Sequence, residues 1–253
     1  MSDRPFSWEY HPAPVVREYF RVRGGRALSG SVQVSGAKNA ALKHMAAAAL
    51  TGEQLRLENV PEILDIDVLA ETLRDLGVEI ERPGAGVLDL RARDVEWQFV
   101  PLEAAAKMRA SFMLLGPLLA RFGRVIISNP GGDRIGRRPV NLHVDAMRAL
   151  GAEIEYRDGY YFAKSAGRLV GAEIVFPHVT VMGTENAMLA AVLARGTTTI
   201  RPAAREPEVD DLIALLVKMG AQVARTAPDV IEVQGVASLA GATHRVMPDR
   251  IEA

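Results

Sequence analysis

The chain contains no cysteine, and aromatic residues make up only 6% of it. The first absence excludes disulfides, a thiolate nucleophile and cysteine-ligated metal sites. No apolar run has the length of a membrane span. An excess of one charge sign is also missing, because 30 basic and 31 acidic residues leave a formal net charge of −1. This balance gives no general attraction for nucleic acid or membrane surfaces, and we expect a cytoplasmic protein.

What is present is typical of a globular protein: 49% of the residues are hydrophobic and 24% are charged. A length of 253 residues allows one large or two small domains. We expect residues 1–20, which are punctuated by proline, to form a poorly ordered extension. Five histidines are too scattered along the sequence to suggest a zinc site, so no metal is predicted: His11, His44, His143, His178 and His244.

One short pattern occurs three times: Leu or Met, Gly, a small residue, a polar residue and an aliphatic residue. It begins at Leu76, Leu150 and Met219, and its glycines are about 70 residues apart. A helix-like stretch precedes each glycine, and β-branched or aliphatic residues follow it. The pattern therefore predicts a helix that ends at a left-handed glycine and continues into a strand.

The surroundings of these glycines repeat as well, which predicts an α/β fold of three βαβαββ units over about 37–90, 97–163 and 171–235. The first helix of a unit is rich in alanine and should be buried, whereas the second carries charge and should face solvent. We expect the units to close into one lobe, residues 21–241, with helices inside and sheets around them. Residues 242–253 resemble the start of a fourth unit, so we expect a truncated second lobe and a fragment of a longer protein.

Two turns at predicted helix starts carry cations. Lys38 lies in a glycine-containing turn, which presents free N–H groups and would bind an anion. Its alternative is an ordinary surface lysine. Arg109 enters an otherwise apolar helix, and its guanidinium suits phosphate or carboxylate; the alternative is a helix cap or an ion pair with Glu103.

Two further segments complete the candidate site. The loop from Pro130 to Pro139 has three glycines and three arginines, which is typical of a binding loop or lid, although a solvated linker remains open. Residues 178–186 correspond to the Lys38 turn in the third unit; the alternative is a plain turn capped by Thr184. If the equivalent turns converge, their helix ends and cations predict a polyanionic ligand such as a phosphorylated small molecule.

Five of these segments together resemble the UDP-N-acetylglucosamine 1-carboxyvinyltransferase family. They are 35–41 (SGAKNAA), 109–111 (RAS), 130–140 (PGGDRIGRRPV), 203–208 (AAREPE) and 248–252 (PDRIE). The resemblance runs from about Val22 to Ala253. The related 3-phosphoshikimate enzymes share the repeats but have a different lysine turn, so they are the weaker match.

The resemblance implies an inside-out α/β barrel of two lobes, each with three units in pseudo-threefold symmetry. It implies transfer of enolpyruvyl from phosphoenolpyruvate to the 3-hydroxyl of UDP-N-acetylglucosamine, with release of phosphate. This is the first committed step of peptidoglycan synthesis, and it needs no cofactor. The oligomeric state stays open.

The same resemblance assigns roles to individual residues. Lys38 and Arg138 would hold the phosphate and carboxylate of phosphoenolpyruvate, and Asn39 would hydrogen-bond the substrate near the reacting centre. Arg109 would bind the sugar nucleotide. The nucleotide pocket would be lined by Arg138, Pro139, Val140, Asn141 and Leu142, and the diphosphate would face His178, Val179, Thr180 and Val181.

Two positions depart from the family's usual pattern. Asp133 stands where most members have cysteine, and it would donate the proton to the methylene carbon and make the enzyme insensitive to fosfomycin. Asn141 stands where an aspartate commonly contacts the uracil, which leaves nucleotide selectivity open. Because other catalytic groups of the family lie in the second lobe, a non-catalytic half that binds UDP-sugar is the alternative function.

Overall fold

The computed structural model describes residues 21–27, 29–132 and 139–253. The predicted site residues Asp133 and Arg138, and the predicted extension 1–20, lie outside the described residues. The chain divides into two compact units, 1–33 and 34–253, so the boundary comes later than the predicted one after residue 20. Among the described residues of the first unit there is no helix or strand.

The second unit contains every element of the described residues. Its described residues form seven α-helices: α1 (Lys38–Ala47), α2 (Leu64–Asp75), α3 (Leu102–Ala105), α4 (Leu115–Phe122), α5 (Asn141–Ala149), α6 (Val181–Ala191) and α7 (Pro207–Lys218). Short 3-10 helices cover Ala48–Leu50 and Arg109–Leu114. The strands are β1 (Gln54–Glu58), β2 (Glu79–Gly84), β3 (Val87–Arg91), β4 (Phe99–Val100), β5 (Arg124–Ser128), β6 (Glu153–Arg157), β7 (Tyr160–Lys164), β8 (Glu173–Thr180), β9 (Thr197–Ala203), β10 (Gln222–Ala227), β11 (Val230–Gln234) and β12 (Ala242–Arg245).

The described strands form three four-stranded sheets of the same design. Their orders are β12-β1-β3-β2, β4-β5-β7-β6 and β8-β9-β11-β10. In each sheet the first two strands are parallel and the remaining neighbours are antiparallel. Parallel neighbours need a crossover, which a helix supplies in the second and third sheets. The predicted α/β class is confirmed.

The first sheet corrects one sequence-based expectation. Its outer strand is β12, which pairs in parallel with β1 from Leu55–Ala242 to Glu58–Arg245. Residues 242–245 were expected to begin a second lobe, and they instead complete the first sheet. The physical reason is that β1 would otherwise be an open edge with unpaired backbone groups, and a repeat pattern does not specify which distant segment fills that place.

The three repeated glycines behave as predicted. Gly77, Gly151 and Gly220 follow the C-terminal residues of α2, α5 and α7 and have φ values of 97°, 92° and 94°. This left-handed conformation is costly for residues with a Cβ. At Gly77 an added Cβ would also lie 2.5 Å from the carbonyl oxygen of Asp94.

The alanine-rich helices α1 and α6 are buried, as predicted, and polar side chains join them to their neighbours. Asn186 on α6 accepts a hydrogen bond from the Gly116 N–H (2.8 Å) and donates one to the Phe112 carbonyl (3.0 Å). Arg121 donates to the carbonyls of Ala49, Thr51 and Ala92, at 3.1, 3.0 and 2.7 Å. Carbonyl groups that are removed from water need such donors.

A buried ion pair connects α1 to α6. Lys43 Nζ lies 3.4 Å from Glu185 Oε2, and the Glu185 side chain is fully buried. Burial raises the pKa of Glu185 to about 7, although the Lys43 charge opposes this rise and the carboxyls of Glu208 and Glu206 add to it. Desolvation therefore outweighs attraction at this carboxyl group.

This pair predicts a pH-dependent stability. An unfolded glutamate titrates near 4.5 and the folded Glu185 near 7, so the folded chain binds more protons between these values. The contribution of Glu185 to the free energy of unfolding is then fully present at low pH and is lost as pH rises from about 4.5 to about 7. The free energies of unfolding of wild type and Glu185→Gln are compared by urea unfolding from pH 5 to 8. Over this range the wild-type value should fall relative to that of the variant by up to about 3 kcal/mol.

The trend with pH is the measurement, since glutamine also removes the ionic partner of Lys43. The exposed Glu232→Gln on β11 serves as the control and should show no such trend. A wild-type-minus-Glu185→Gln difference that stays constant from pH 5 to 8 would contradict the assignment.

Candidate functional site

The predicted lysine turn lies at the start of α1, and Lys38 is the first residue of that helix. Asn39 follows and is exposed. Lys38 Nζ lies 4.0 Å from Asp65 Oδ2, and both side chains are about two-fifths exposed (42% and 43%). The ammonium group is therefore accessible to an anion from solvent and is only loosely paired.

A distant segment holds this turn in place. The Ala37 N–H donates to the Met247 carbonyl (2.8 Å), and the Asp249 N–H donates to the Ser35 carbonyl (2.8 Å). The Lys38 N–H donates to Asp249 Oδ2 at 3.1 Å. Residues 248–252 were recognised in the sequence only as a family motif, and their contact with the lysine turn was not predicted.

The Asp249 carboxyl group has a pKa below its usual range. Burial alone would raise it, but backbone N–H groups of Ile251, Lys38 and Glu252 and the charge of Lys38 together outweigh burial. An ionised carboxylate therefore lies beside the first turn of α1, where the helix dipole favours negative charge.

Four predicted residues surround one cavity of about 440 Å³. Arg109 lies at the start of the 3-10 helix, and its guanidinium donates to the Pro139 carbonyl at 3.2 Å. The predicted lining residues are Arg109, Pro139, Val140 and Asn141, and the remaining ones are Asn129, Pro130, Val144, Asp145, Arg148 and Tyr161. The cavity thus joins the end of β5, the start of α5 and the middle of the second sheet.

The additional lining residues bring an aromatic ring and a second guanidinium. Burial is the main cause that raises the pKa of Tyr161; the neighbouring Tyr156 adds to the rise, and the Arg148 charge opposes it. The phenol is therefore neutral. Arg148 lies 3.6 Å from Asp145 and donates to the Ile154 carbonyl at 3.0 Å. An aromatic surface beside two guanidinium groups is suited to a planar ring that carries an anionic group. No motif indicated Tyr161 or Arg148, because they belong to elements separate from Arg109.

Behind this wall the polar groups are buried and neutral. Burial, aided by the Arg109 charge, lowers the pKa of His143 to about 3. Its Nδ1 is 3.0 Å from the Asn186 amide nitrogen, and its ring packs edge-on against Phe112. His143, which lies behind the cavity wall, therefore stays uncharged near neutral pH.

The predicted diphosphate segment spans the end of β8 and the start of α6. His178 and Val179 are exposed, whereas Thr180 and Val181 are half-buried. Thr180 caps α6 by accepting a hydrogen bond from the Gly183 N–H at 3.3 Å. The cap is thus Thr180 and not Thr184.

Several predicted residues do not line the cavity. Lys38 and Asn39 lie at the start of α1, His178–Val181 lie at the start of α6, and Leu142 is buried in α5. The structure therefore gathers the predicted nucleotide-pocket residues, except Leu142 and the undescribed Arg138, and leaves the other groups on separate helix ends.

A second polar cluster lies near residues 244–247. His44, Asp211 and His244 offer donor atoms within 4.8 Å of one another, although their spacing in the sequence gave no such signal. Asp211 is already engaged, by His244 Nε2 at 3.0 Å and by the Met247 N–H at 3.2 Å. Lys218 Nζ lies 3.2 Å from His244 Nδ1, and its charge would repel a divalent cation. The cluster is better described as a hydrogen-bonded chain than as a metal centre.

Comparisons with known proteins show the family to which the chain belongs. A family model described as EPSP synthase (3-phosphoshikimate 1-carboxyvinyltransferase) matches residues 22–253. Curated relatives named UDP-N-acetylglucosamine 1-carboxyvinyltransferase are 50% identical in Xanthobacter autotrophicus, 48% in Acinetobacter guillouiae and 50% in Maricaulis maris. The alignments cover 92%, 92% and 91% of this chain and 56%, 55% and 55% of the relatives. The chain thus spans about half the length of the curated relatives it matches.

Solved structures show the same fold. The enolpyruvyl transferase NikO from Streptomyces tendae superposes with a TM-score of 0.78 at 25% identity, over 90% of this chain and 54% of that one. EPSP synthase from Acinetobacter baumannii gives a TM-score of 0.70 at 20% identity, over 89% and 51%, which supports the fold alone. Because the family model accounts for residues 22–253, the chain belongs to the EPSP synthase family.

Proposed function

We propose that the chain contributes one wall of the active site of a UDP-N-acetylglucosamine 1-carboxyvinyltransferase. This enzyme would transfer enolpyruvyl from phosphoenolpyruvate to the sugar 3-hydroxyl and release phosphate, in the cytoplasm, as the first committed step of peptidoglycan synthesis. The observation that carries the proposal is that Arg109, Pro139, Val140 and Asn141 line the same cavity. These are residues that the family resemblance assigns to the sugar nucleotide.

The proposed roles are those that the family resemblance implies, and the charges of the residues are consistent with them. The cations of Lys38 and Arg138 hold the phosphate and carboxylate of phosphoenolpyruvate, and Asn39 hydrogen-bonds near the reacting carbon. The sugar hydroxyl gives its proton to a base in the second lobe and its oxygen adds to that carbon, while Asp133 protonates the methylene group. The product is a tetrahedral intermediate that still carries phosphate. Loss of phosphate and of a methyl proton regenerates the double bond. Fixed cations stabilise the charge that moves during these steps.

We also propose that the unit 34–253 is a lobe of an inside-out α/β barrel with pseudo-threefold symmetry. The identical strand order of the three sheets supports this arrangement, as do the buried helices α1 and α6. In such a lobe the starts of α1, of α6 and of the Arg109 helix lie at one end. Their N–H groups and cations would together hold the diphosphate and phosphoenolpyruvate.

One other function has a specific observation in its favour. The alternative is a lobe that binds UDP-sugar without catalysing the transfer, and the cavity that Arg109 and Asn141 line would serve this function as well. A 3-phosphoshikimate enzyme is disfavoured, because the relatives about 50% identical carry the UDP-N-acetylglucosamine name and the compared EPSP synthase is 20% identical.

Phosphate release tests the transferase. The chain is incubated with phosphoenolpyruvate, with and without UDP-N-acetylglucosamine, and free phosphate is measured. Because this chain supplies only one wall of the site, we expect weak release that depends on the sugar nucleotide. Asp133→Ala should abolish it, because the methylene carbon then lacks its proton donor. Absence of release, combined with UDP-sugar binding in calorimetry, would support the binding half, and absence of both would overturn the proposed function.

Fosfomycin offers a second test of the role of Asp133. A carboxylate is a poor target for epoxide alkylation, and the chain has no cysteine. We therefore expect the mass of the protein to be unchanged after incubation with fosfomycin and UDP-N-acetylglucosamine. Asp133→Cys is the matched control and should acquire one covalent adduct. Stoichiometric labelling of Asp133 in the wild-type chain would contradict the prediction.

The cavity itself is tested through Arg109. Arg109→Ala should weaken UDP-N-acetylglucosamine binding about 10- to 100-fold, since a charge-assisted hydrogen bond is lost at the wall. The dissociation constant is measured by calorimetry. Arg157, whose guanidinium lies over the Phe162 ring, is outside this cavity, and Arg157→Ala should bind like wild type. Equal affinity of the Arg109 variant and wild type would exclude the cavity as the nucleotide site.

A further inference from the structure

Helix α1 begins without a cap of its own. The residue before it is Ala37, whose backbone is extended but whose methyl side chain accepts no hydrogen bond. Helices usually begin with Ser, Thr, Asp or Asn, because the first N–H groups have no partner inside the helix. Since Ala37 is 1% exposed, water does not readily serve as the substitute.

Asp249 supplies the missing acceptor from 211 residues away. Its Oδ2 accepts the Lys38 N–H at 3.1 Å, and the residue is only 4% exposed. Its Oδ1 accepts the N–H groups of Ile251 at 2.8 Å and Glu252 at 3.3 Å. One carboxylate therefore holds the first turn of α1 and the turn that follows Asp249 itself.

The position of this carboxylate is fixed by contacts on both sides. Before it, the Met247 N–H donates to Asp211 Oδ2 at 3.2 Å and the Val246 N–H donates to the Glu58 carbonyl at 2.9 Å. After it, Arg250 Nε lies 3.2 Å from the buried Glu208. Such anchoring keeps the acceptor in place without relying on the lysine turn.

We propose that Asp249 is a positioning residue for Lys38, whose amide it holds so that the lysine side chain points toward the anionic substrate. The inference rests on the proposed function for its consequence, because Lys38 is the group assigned to phosphoenolpyruvate. Asp249 does not touch the substrate. It acts through the backbone of the first turn of α1, and its removal leaves a partly buried N–H without a partner.

The experiment compares Asp249→Ala and Asp249→Asn with the exposed Glu252→Gln on the same turn, in the full 253-residue chain. Thermal unfolding first shows which variants are folded. Amide hydrogen exchange is then measured at Lys38 by NMR, and phosphoenolpyruvate binding is measured in the presence of UDP-N-acetylglucosamine. The same binding measurement is made for Lys38→Ala and for the double variant Lys38→Ala/Asp249→Ala.

We expect exchange at the Lys38 amide to accelerate about tenfold or more in Asp249→Ala. The acceleration should be smaller in Asp249→Asn, which keeps one carbonyl oxygen, and absent in Glu252→Gln. Affinity for phosphoenolpyruvate should fall about tenfold in Asp249→Ala. On the Lys38→Ala background the Asp249 change should have no further effect on affinity.

Two results would overturn the inference: unchanged exchange at the Lys38 amide in Asp249→Ala, or loss of affinity that adds fully to that of Lys38→Ala. If Asp249→Ala does not fold, Asp249→Asn carries the same test, because its amide nitrogen would oppose a backbone N–H. Failure of the proposed function looks different. In that case Lys38→Ala leaves phosphoenolpyruvate binding unchanged, while exchange at the Lys38 amide still reports whether Asp249 holds the turn.

Discussion

The parallel pairing of β12 with β1 is the contact on which the arrangement of the first sheet and the lysine turn depends. It gives β1 a neighbour that the local sequence does not supply. It also brings residues 246–249 alongside the turn before α1, where three backbone or carboxylate hydrogen bonds hold that turn. The proposed anion site at Lys38 is therefore shaped by two segments about 200 residues apart. In the second and third sheets both strands of the parallel pair belong to the same repeat. In the first sheet the parallel partner of β1 comes from a distant segment, β12.

Local features were predictable from the sequence, for reasons that are local. The glycines after α2, α5 and α7 mark helix ends because only glycine adopts positive φ without cost. The alanine-rich segments of α1 and α6 indicated buried helices because small side chains allow close approach. These signals arise within about ten residues of chain, so a single sequence carries them.

The parts that escaped prediction depend on distant pairs. The repeat pattern indicated another unit from residue 242, but it could not specify that this strand would pair with β1. In the same way Tyr161 and Arg148 join Arg109 at the cavity only because β7 and α5 lie next to the 3-10 helix. The histidines His44 and His244, which looked scattered, have ring centroids 4.8 Å apart. Motifs located the candidate site, whereas the supporting contacts required the three-dimensional structure.

The distance in sequence between β1 and β12 also sets an order of events during synthesis. A ribosome makes the chain from its N-terminus, so the edge of β1 stays open until the segment 242–245 has emerged. The carboxylate that holds the start of α1 arrives later still, at residue 249. The parallel pairs of the second and third sheets can form before β12 is synthesised, because both strands of each pair are nearby in sequence. The lysine turn is thus among the first parts of the unit to be synthesised and among the last to be given its shape.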